Sequence, residues 1–320
     1  MRIFFLLLSL LPTLCLAATE SRVLQAGDTR LRVEIVDVSD PARGRMLQRW
    51  IQEAAETTKT QSGRYPLRDA YVRIEETDSD DDSPVPWGQT RRRGETGVLL
   101  YVRRDASYEQ LRADWTAVHE LSHLFHPYLG DSGRWLAEGL ASYYQNVSRA
   151  RAGMLDAEEA WRRLDAGFGR GEAASTGARL DAMGRGRGGT MRVYWAGAAY
   201  WLEADLALRR DSGTTLDVIL DRYADCCLHG TDSLAPQDFV SALDRVAGND
   251  TFSVLYRRYA ASRVFPSLVD AYAQLGISRH ADGLAFARTV KTTQLRDAIM
   301  ASQRSPSTRS AAPASSPSRP

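Results

Sequence analysis

The stretch His119-Glu120-Leu121-Ser122-His123 sets two imidazoles four residues apart, with a carboxylate beside the first. On a helix, positions four apart lie on one face, one turn from each other, so both rings can reach a single metal ion. A chain built around such a pair must give up one helix face to a ligand. It must also bring a further donor to that face from another element. Zinc suits the pattern, because it takes nitrogen and oxygen ligands tetrahedrally and keeps a position open for water in catalytic sites. Glu120 flanks that position, where a carboxylate can take a proton from the water and later pass it on.

The flanks carry the period of a helix. Leu111, Trp115, Val118, Ser122 and Phe125 step by four, three, four and three along a mostly apolar stripe, and His119, His123 and His126 step along a neighbouring one. Pro127 stops the pattern. Three of the chain's five histidines gather here, which a solvated helix face would leave unexplained. Three residues compete to be the third ligand. His126 lies two turns from His119, far for one tetrahedral ion on a straight helix. Asp131 falls in Gly130-Asp131-Ser132-Gly133, where a turn-forming role suffices. Glu138 opens a second helix running through Tyr143, Tyr144 and Val147, and the glycines and Pro127 let that helix fold back on the first. Glu138 is therefore the expected ligand, with His126 at the rim or behind a ligand as its support.

His119-Glu120-x-x-His123 followed by Trp135-x-x-Glu138-Gly139-x-x-Ser142-Tyr143-Tyr144 resembles the gluzincin peptidases. Within them it is most similar to the glycyl aminopeptidase family, and more distantly to the aminopeptidase N family. Tyr194-Trp195-Ala196-Gly197 resembles the first family's Tyr-x-Lys-Gly stretch, with Ala196 in place of the lysine. Leu216 to Leu220, Phe239 to Leu243 and Gly248 look like its closing helical segments, so the resemblance spans about residues 95 to 277. The linker from His123 to Glu138 is shorter than the family's, and the Gly-Ala-Met-Glu-Asn motif of aminopeptidase N relatives is absent. The resemblance implies an α+β fold of the zincin type: an N-terminal α/β lobe with a mixed sheet, a mainly helical C-terminal lobe, and zinc in the cleft between them. It implies zinc on His119, His123 and Glu138, Glu120 as general base, and Tyr194 as oxyanion donor, with Tyr143 and Tyr144 as substitutes for that role. A peptide or protein substrate follows. A zinc-binding scaffold without turnover is the competing function, and it gives no reason for Glu120. Without the Gly-Ala-Met-Glu-Asn motif, only Glu95 stands near the strand as an anchor for a free amino terminus, and an open-ended cleft is the alternative.

The remaining chain frames this core. Met1-Arg2, an apolar run from Ile3 to Leu16 and Ala17-Ala18 read as a signal peptide over 1–17, which predicts export to a periplasmic or extracellular space and no stable membrane insertion after cleavage. Removing Arg2 takes the basic residues from 41 to 40, equal to the 40 acidic ones, a balance that argues against nucleic acid. Strands are expected at Arg30 to Val38 and Tyr71 to Glu75, with a helix from Pro41 to about Thr58 between them. Gly97 to Val102 is a third strand, lying either along the cleft with an open edge or centrally. Asp78 to Asp82 reads as a solvated loop that Arg91-Arg92-Arg93 balances. Residues 18–130 form the first lobe and 131–300 the helical one. The glycine-rich stretch from Gly184 to Gly189 is a loop at the lip of the cleft. Cys226 and Cys227 can bridge, stay buried or pair between chains, and carry no catalysis. Residues 301–320, almost wholly Ser, Pro, Ala and Arg, are expected to be a disordered tail.

Overall fold

The computed structural model describes residues 20–184 and 189–301. The expected signal peptide, most of the expected tail and the middle of the glycine-rich loop lie outside the described residues.

Strands β1 (Glu20–Ala26) and β2 (Thr29–Val36) form a hairpin, and α1 (Pro41–Thr58) crosses over to β3 (Asp69–Thr77). After β4 (Trp87–Arg91) the chain turns back into β5 (Gly97–Arg103), giving a five-stranded mixed sheet of order β1-β2-β3-β5-β4. The alternation expected for β2 is real: Leu31, Val33 and Ile35 are buried, while Arg32 and Glu34 are not. Helix α1 begins at Pro41 behind an Asp40 cap and buries Leu47, Trp50, Ile51, Ala54 and Ala55. β5 is not the open edge. It lies between β3 and β4, which makes its continuous apolar run that of a strand covered on both sides. The edge facing the histidines is β4, whose short polar sequence carried no periodic signal.

The segment expected to be one helix is three pieces: α2 (Tyr108–Ala113), α3 (Thr116–Ser122) and a 3-10 turn over His123–Phe125. Asp114 adopts an extended conformation, and its carboxylate accepts from the Thr116 N–H, so the chain is capped afresh just before the motif. That break takes Trp115 out of the apolar stripe and leaves it 42% exposed, while Leu111, Val118, Ser122 and Phe125 are buried.

Among the described residues, eight further α-helices and one hairpin make the second lobe: α4 (Arg134–Arg151), α5 (Ala157–Ala173), α6 (Thr190–Ala207), α7 (Leu216–Cys226), α8 (Pro236–Ala247), α9 (Thr251–Ala260), α10 (Val269–Leu275), then β6 (Ile277–His280) with β7 (Gly283–Phe286), and α11 (Val290–Met300). The β6–β7 hairpin is the one sheet in a lobe expected to be mainly helical, among the described residues. Pro236 and Gly248 bound α8 as their residue types predict, Gly248 in the left-handed conformation at φ 72°. Cys226 and Cys227 form a disulfide at the end of α7, across a Cα–Cα distance of 3.7 Å.

At the point where helices α4 and α6 cross, backbone meets backbone. A Cβ added to Gly197 would fall 1.9 Å from the Trp135 carbonyl oxygen, and one added to Gly139 would fall 2.2 Å from the Gly197 carbonyl carbon. The two glycines follow Glu138 and Tyr194 by one and three residues, so this crossing sets the spacing between those side chains.

Candidate active site

Three donor atoms converge between α3 and α4. His119 Nε2 lies 3.3 Å and His123 Nε2 3.5 Å from the same Glu138 oxygen, Oε2. With bonds of about 2.0–2.1 Å, two ligands of a tetrahedral zinc ion stand about 3.3–3.4 Å apart, which matches this spacing. His119, Glu120 and His123 also bring ligand atoms within 4.8 Å of one another, a looser set that leaves room beside Glu120. Glu138 is the better third donor, because one of its oxygens meets both imidazoles at the tighter distance. Its other oxygen, Oε1, faces Arg134 at 3.5 Å.

The hydrogen bonds behind the imidazoles fix their tautomers. The His126 ring places Nδ1 2.7 Å from the Pro127 carbonyl oxygen, which can only accept, so that nitrogen carries the proton. Burial, then the nearby Arg92 and His123 charges, hold the His126 pKa well below the ordinary imidazole value, so the ring is neutral and its Nε2 accepts. His123 Nδ1 lies 3.0 Å from that Nε2 and donates to it, which turns the lone pair of His123 Nε2 toward Glu138. On His119, Nδ1 donates to Gln145 Oε1 at 2.8 Å with the same result. Burial works against charge on His119, but the Glu138 hydrogen bond and the Glu120 charge outweigh it and raise its pKa. The carboxylates that favour positive charge on this imidazole favour a metal cation there as well. Burial likewise works against charge on Glu138, yet the two histidines keep its pKa well below the carboxylate range. The donor set is thus two imidazoles with aligned lone pairs and one ionised carboxylate, and it fits zinc.

Glu120 sits beside this trio against β4. The Thr90 hydroxyl donates to its carboxylate at 3.2 Å. Gly88 gives it room, since a Cβ there would come within 2.6 Å of the Glu120 Cγ. Tyr194, on the first turns of α6, stacks on His119 with ring centroids 5.7 Å apart and planes 9° from parallel. Burial, and then Glu138, push its phenol pKa up, so it stays protonated as a donor.

The five residues read from the sequence therefore come together. Tyr143 and Tyr144 do not: both are buried on the far side of α4, bonded to Asp205 at 3.3 Å and Asp217 at 2.7 Å. Of the two places expected for His126, the structure gives the one behind a ligand: it is buried, and its Nε2 accepts from His123 Nδ1. Glu95 is turned outward and pairs with Arg32 at 3.1 Å. Two contributors escaped the sequence. Gln145 lies seven residues after Glu138 on the same helix face, a spacing that would have flagged it. Arg92 gave no such signal. It balances no acidic loop, and its guanidinium donates to the carbonyls of His123 at 2.5 Å, His126 at 2.6 Å and Gly230 at 3.2 Å. It thereby satisfies the carbonyls left open where the metal helix ends.

No model of a known protein family matches the chain, and no curated protein does. Solved structures do. An aminopeptidase N family protein from Idiomarina loihiensis aligns over 81% of this chain and 49% of its own, at 13% identity and a TM-score of 0.56. Leukotriene A4 hydrolase from Saccharomyces cerevisiae aligns over 80% and 41%, at 12% identity and 0.51. A two-domain M1 zinc metallopeptidase bound to L-arginine aligns over 78% and 53%, at 17% identity and 0.50. The chain spans about half the length of these proteins or less. At such identities the likeness is one of fold, and the fold of this chain is the α+β fold of aminopeptidase N-type zinc metallopeptidases.

Proposed function

We propose that the protein is an exported zinc peptidase. The observation that carries this reading is the spacing of His119 Nε2, His123 Nε2 and Glu138 Oε2 at the edge lengths of a zinc tetrahedron, with Glu120 alongside. Zinc, when bound, supplies Lewis acidity that lowers the pKa of a water and polarises a carbonyl. Glu120 takes a proton from the attacking water and returns it to the departing amine, a role worth roughly 10²–10⁴-fold in rate. Thr90 orients that carboxylate through its hydroxyl. Tyr194 donates its phenolic proton in a hydrogen bond to the oxyanion, a contact of about 3 kcal/mol in barrier. His126 and Gln145 hold the two imidazoles in register. Export is supported by the charged start, apolar run and small residues of the first eighteen positions, and a paired Cys226–Cys227 fits an oxidising compartment.

The test is purified protein of measured zinc content, assayed on quenched peptides before and after chelation and again after zinc is restored. Cleavage that follows the zinc supports the reading. Full zinc occupancy with no peptide cut would overturn it and leave a zinc-binding protein without turnover.

A further inference from the structure

Beside His119 a cavity of about 340 Å³ opens between α4, α5 and α6. Gln145 and Tyr194, both in contact with the His119 ring, form its wall toward the metal-site residues, and Trp115, edge-on to the same ring, lines it too. Its chemistry is cationic. Along α4, the residues Glu138, Ser142, Gln145 and Arg149 step by four, three and four, so one helix stripe runs from the metal donors into the cavity.

Two cations there lack a counter-ion. Arg149 is 2% exposed, and one of its terminal nitrogens donates to the Ala113 carbonyl at 2.7 Å, but its Nε–H has no acceptor. Asp114 favours its charge from a distance, while Arg163 and Arg112 oppose it, and burial above all draws its pKa down to about 10. The Asp114 oxygens are already taken by the Thr116 N–H at 2.7 Å and the Ser83 hydroxyl at 3.3 Å. Ser142, fully buried on the same stripe, also has no partner for its hydroxyl. On α5 every carboxylate is committed: Glu158 to Arg162, Glu159 to Arg163, and Asp165 and Glu172 to Arg279. Arg170 alone of the α5 arginines makes no ion pair with the described residues. It lies over the Trp195 ring, 5.0 Å from its centroid, and lines the cavity. A buried guanidinium without a carboxylate is costly, and a protein that keeps one beside a reaction centre gains most when a ligand supplies the missing charge.

We propose that this cavity receives a carboxylate of the peptide substrate, held by Arg170 and Arg149 with the Ser142 hydroxyl, so that the preferred substrates are acidic near the scissile bond. The proposal rests on the peptidase reading above. A carboxylate fits a guanidinium through two parallel hydrogen bonds, whereas a neutral amide of the same shape leaves the cationic groups unpaired. The carboxylate has two possible sources, an Asp or Glu side chain or the substrate's carboxyl terminus.

The experiment uses zinc-loaded full chain and quenched peptides in matched pairs: Glu against Gln and Asp against Asn at each position around the scissile bond, each with a free or an amidated carboxyl terminus. Roughly a tenfold to hundredfold advantage in kcat/KM is expected for one kind of carboxylate over its amide. An advantage confined to Glu and Asp peptides identifies the side chain as source, and one confined to free termini identifies the terminus. Arg170→Gln, on an exposed side chain, should reduce that acid-to-amide ratio at least tenfold, and Arg149→Met should reduce it further wherever the variant folds. The same pairs are titrated against Glu120→Gln protein by tryptophan fluorescence, which reads binding without turnover. Acid-selective binding that Arg170→Gln erases, with no cleavage by the parent protein, would overturn the peptidase and keep the anion-binding cavity. Cleavage of acid and amide peptides at equal kcat/KM would overturn the cavity and keep the peptidase.

Discussion

Helix α4 carries a polar cluster on each of two faces, and the two differ in one respect. On the inner face, Tyr144 donates to Asp217 at 2.7 Å, and Arg151 grips the same carboxylate at 3.0 and 2.9 Å. Asp205 is matched in the same way by Arg209 at 3.0 Å and the Leu216 N–H at 2.9 Å. Every charge there meets its opposite within the protein. On the cleft face, the hydrogen bonds run outward to Pro127 and Gln145, and what they leave behind is a set of acceptor atoms facing one another. Lone pairs of two imidazoles and a carboxylate point at a shared spot, an arrangement that stabilises nothing until a cation enters. A buried polar group thus says little by itself about function. The direction in which its unsatisfied valence points decides between scaffold and site.

This contrast can be broken most sharply at Glu120. Glu120→Gln should lower kcat by about 10³–10⁴-fold, near the upper end of what a general base contributes, with zinc content and thermal stability unchanged. Activity within a few-fold of the parent would remove the base from the scheme. Next in size is the inner cluster. Asp217→Asn leaves Arg151 as a buried cation without its partner and should cost about 3–5 kcal/mol in urea unfolding, with no change in zinc stoichiometry of the folded fraction. A loss under 1 kcal/mol would mean that the ion pair is not the scaffold described above. The third effect is smaller and of the opposite kind. His126→Phe keeps the ring volume but removes the acceptor for His123 Nδ1–H, so zinc affinity, read by competition with a chelating dye, should weaken roughly 10–100-fold while the folded state persists. Unaltered affinity would show that His123 needs no orienting partner. The smallest change concerns a carboxylate in neither cluster. Because Glu95 is exposed and bound to Arg32, Glu95→Gln should shift the ratio of cleavage between free and acetylated peptides by less than about threefold, as suits a surface pair of under 1 kcal/mol. Selective loss of the free-terminus activity would instead make Glu95 the amino-terminal anchor.

Much of the site was legible because its chemistry is written in short spacings. The pair four apart, the Glu138-Gly139 step and Tyr194 with Gly197 three residues on are all local patterns. Strands β2, β3 and β5 and helix α1 were legible for the same reason, each having a clean apolar period. What escaped depends on contacts distant in sequence. Edge strand β4 reads as polar irregular chain, and only its ladder to β5 makes it a strand. Arg92 reaches Gly230, 138 residues away, and Tyr143 and Tyr144 turn from the cleft because Asp205 and Asp217 draw them inward. The break at Asp114 was missed because a cap made by one side chain interrupts an apolar period without altering it.

Where α4 crosses α6, backbone rests on backbone at Gly139 and Gly197. Side chains between helices act as springs: they change rotamer, and the gap between axes gives by tenths of an ångström. At the crossing point itself there are no such springs. The distance from Glu138 to Tyr194 is therefore gauged by the peptide chain itself, with a tolerance set by bond geometry instead of by packing. Substitutions in the surrounding core can soften the lobe without detuning that distance, whereas a single methyl group added at either glycine would force Glu138 and Tyr194 apart.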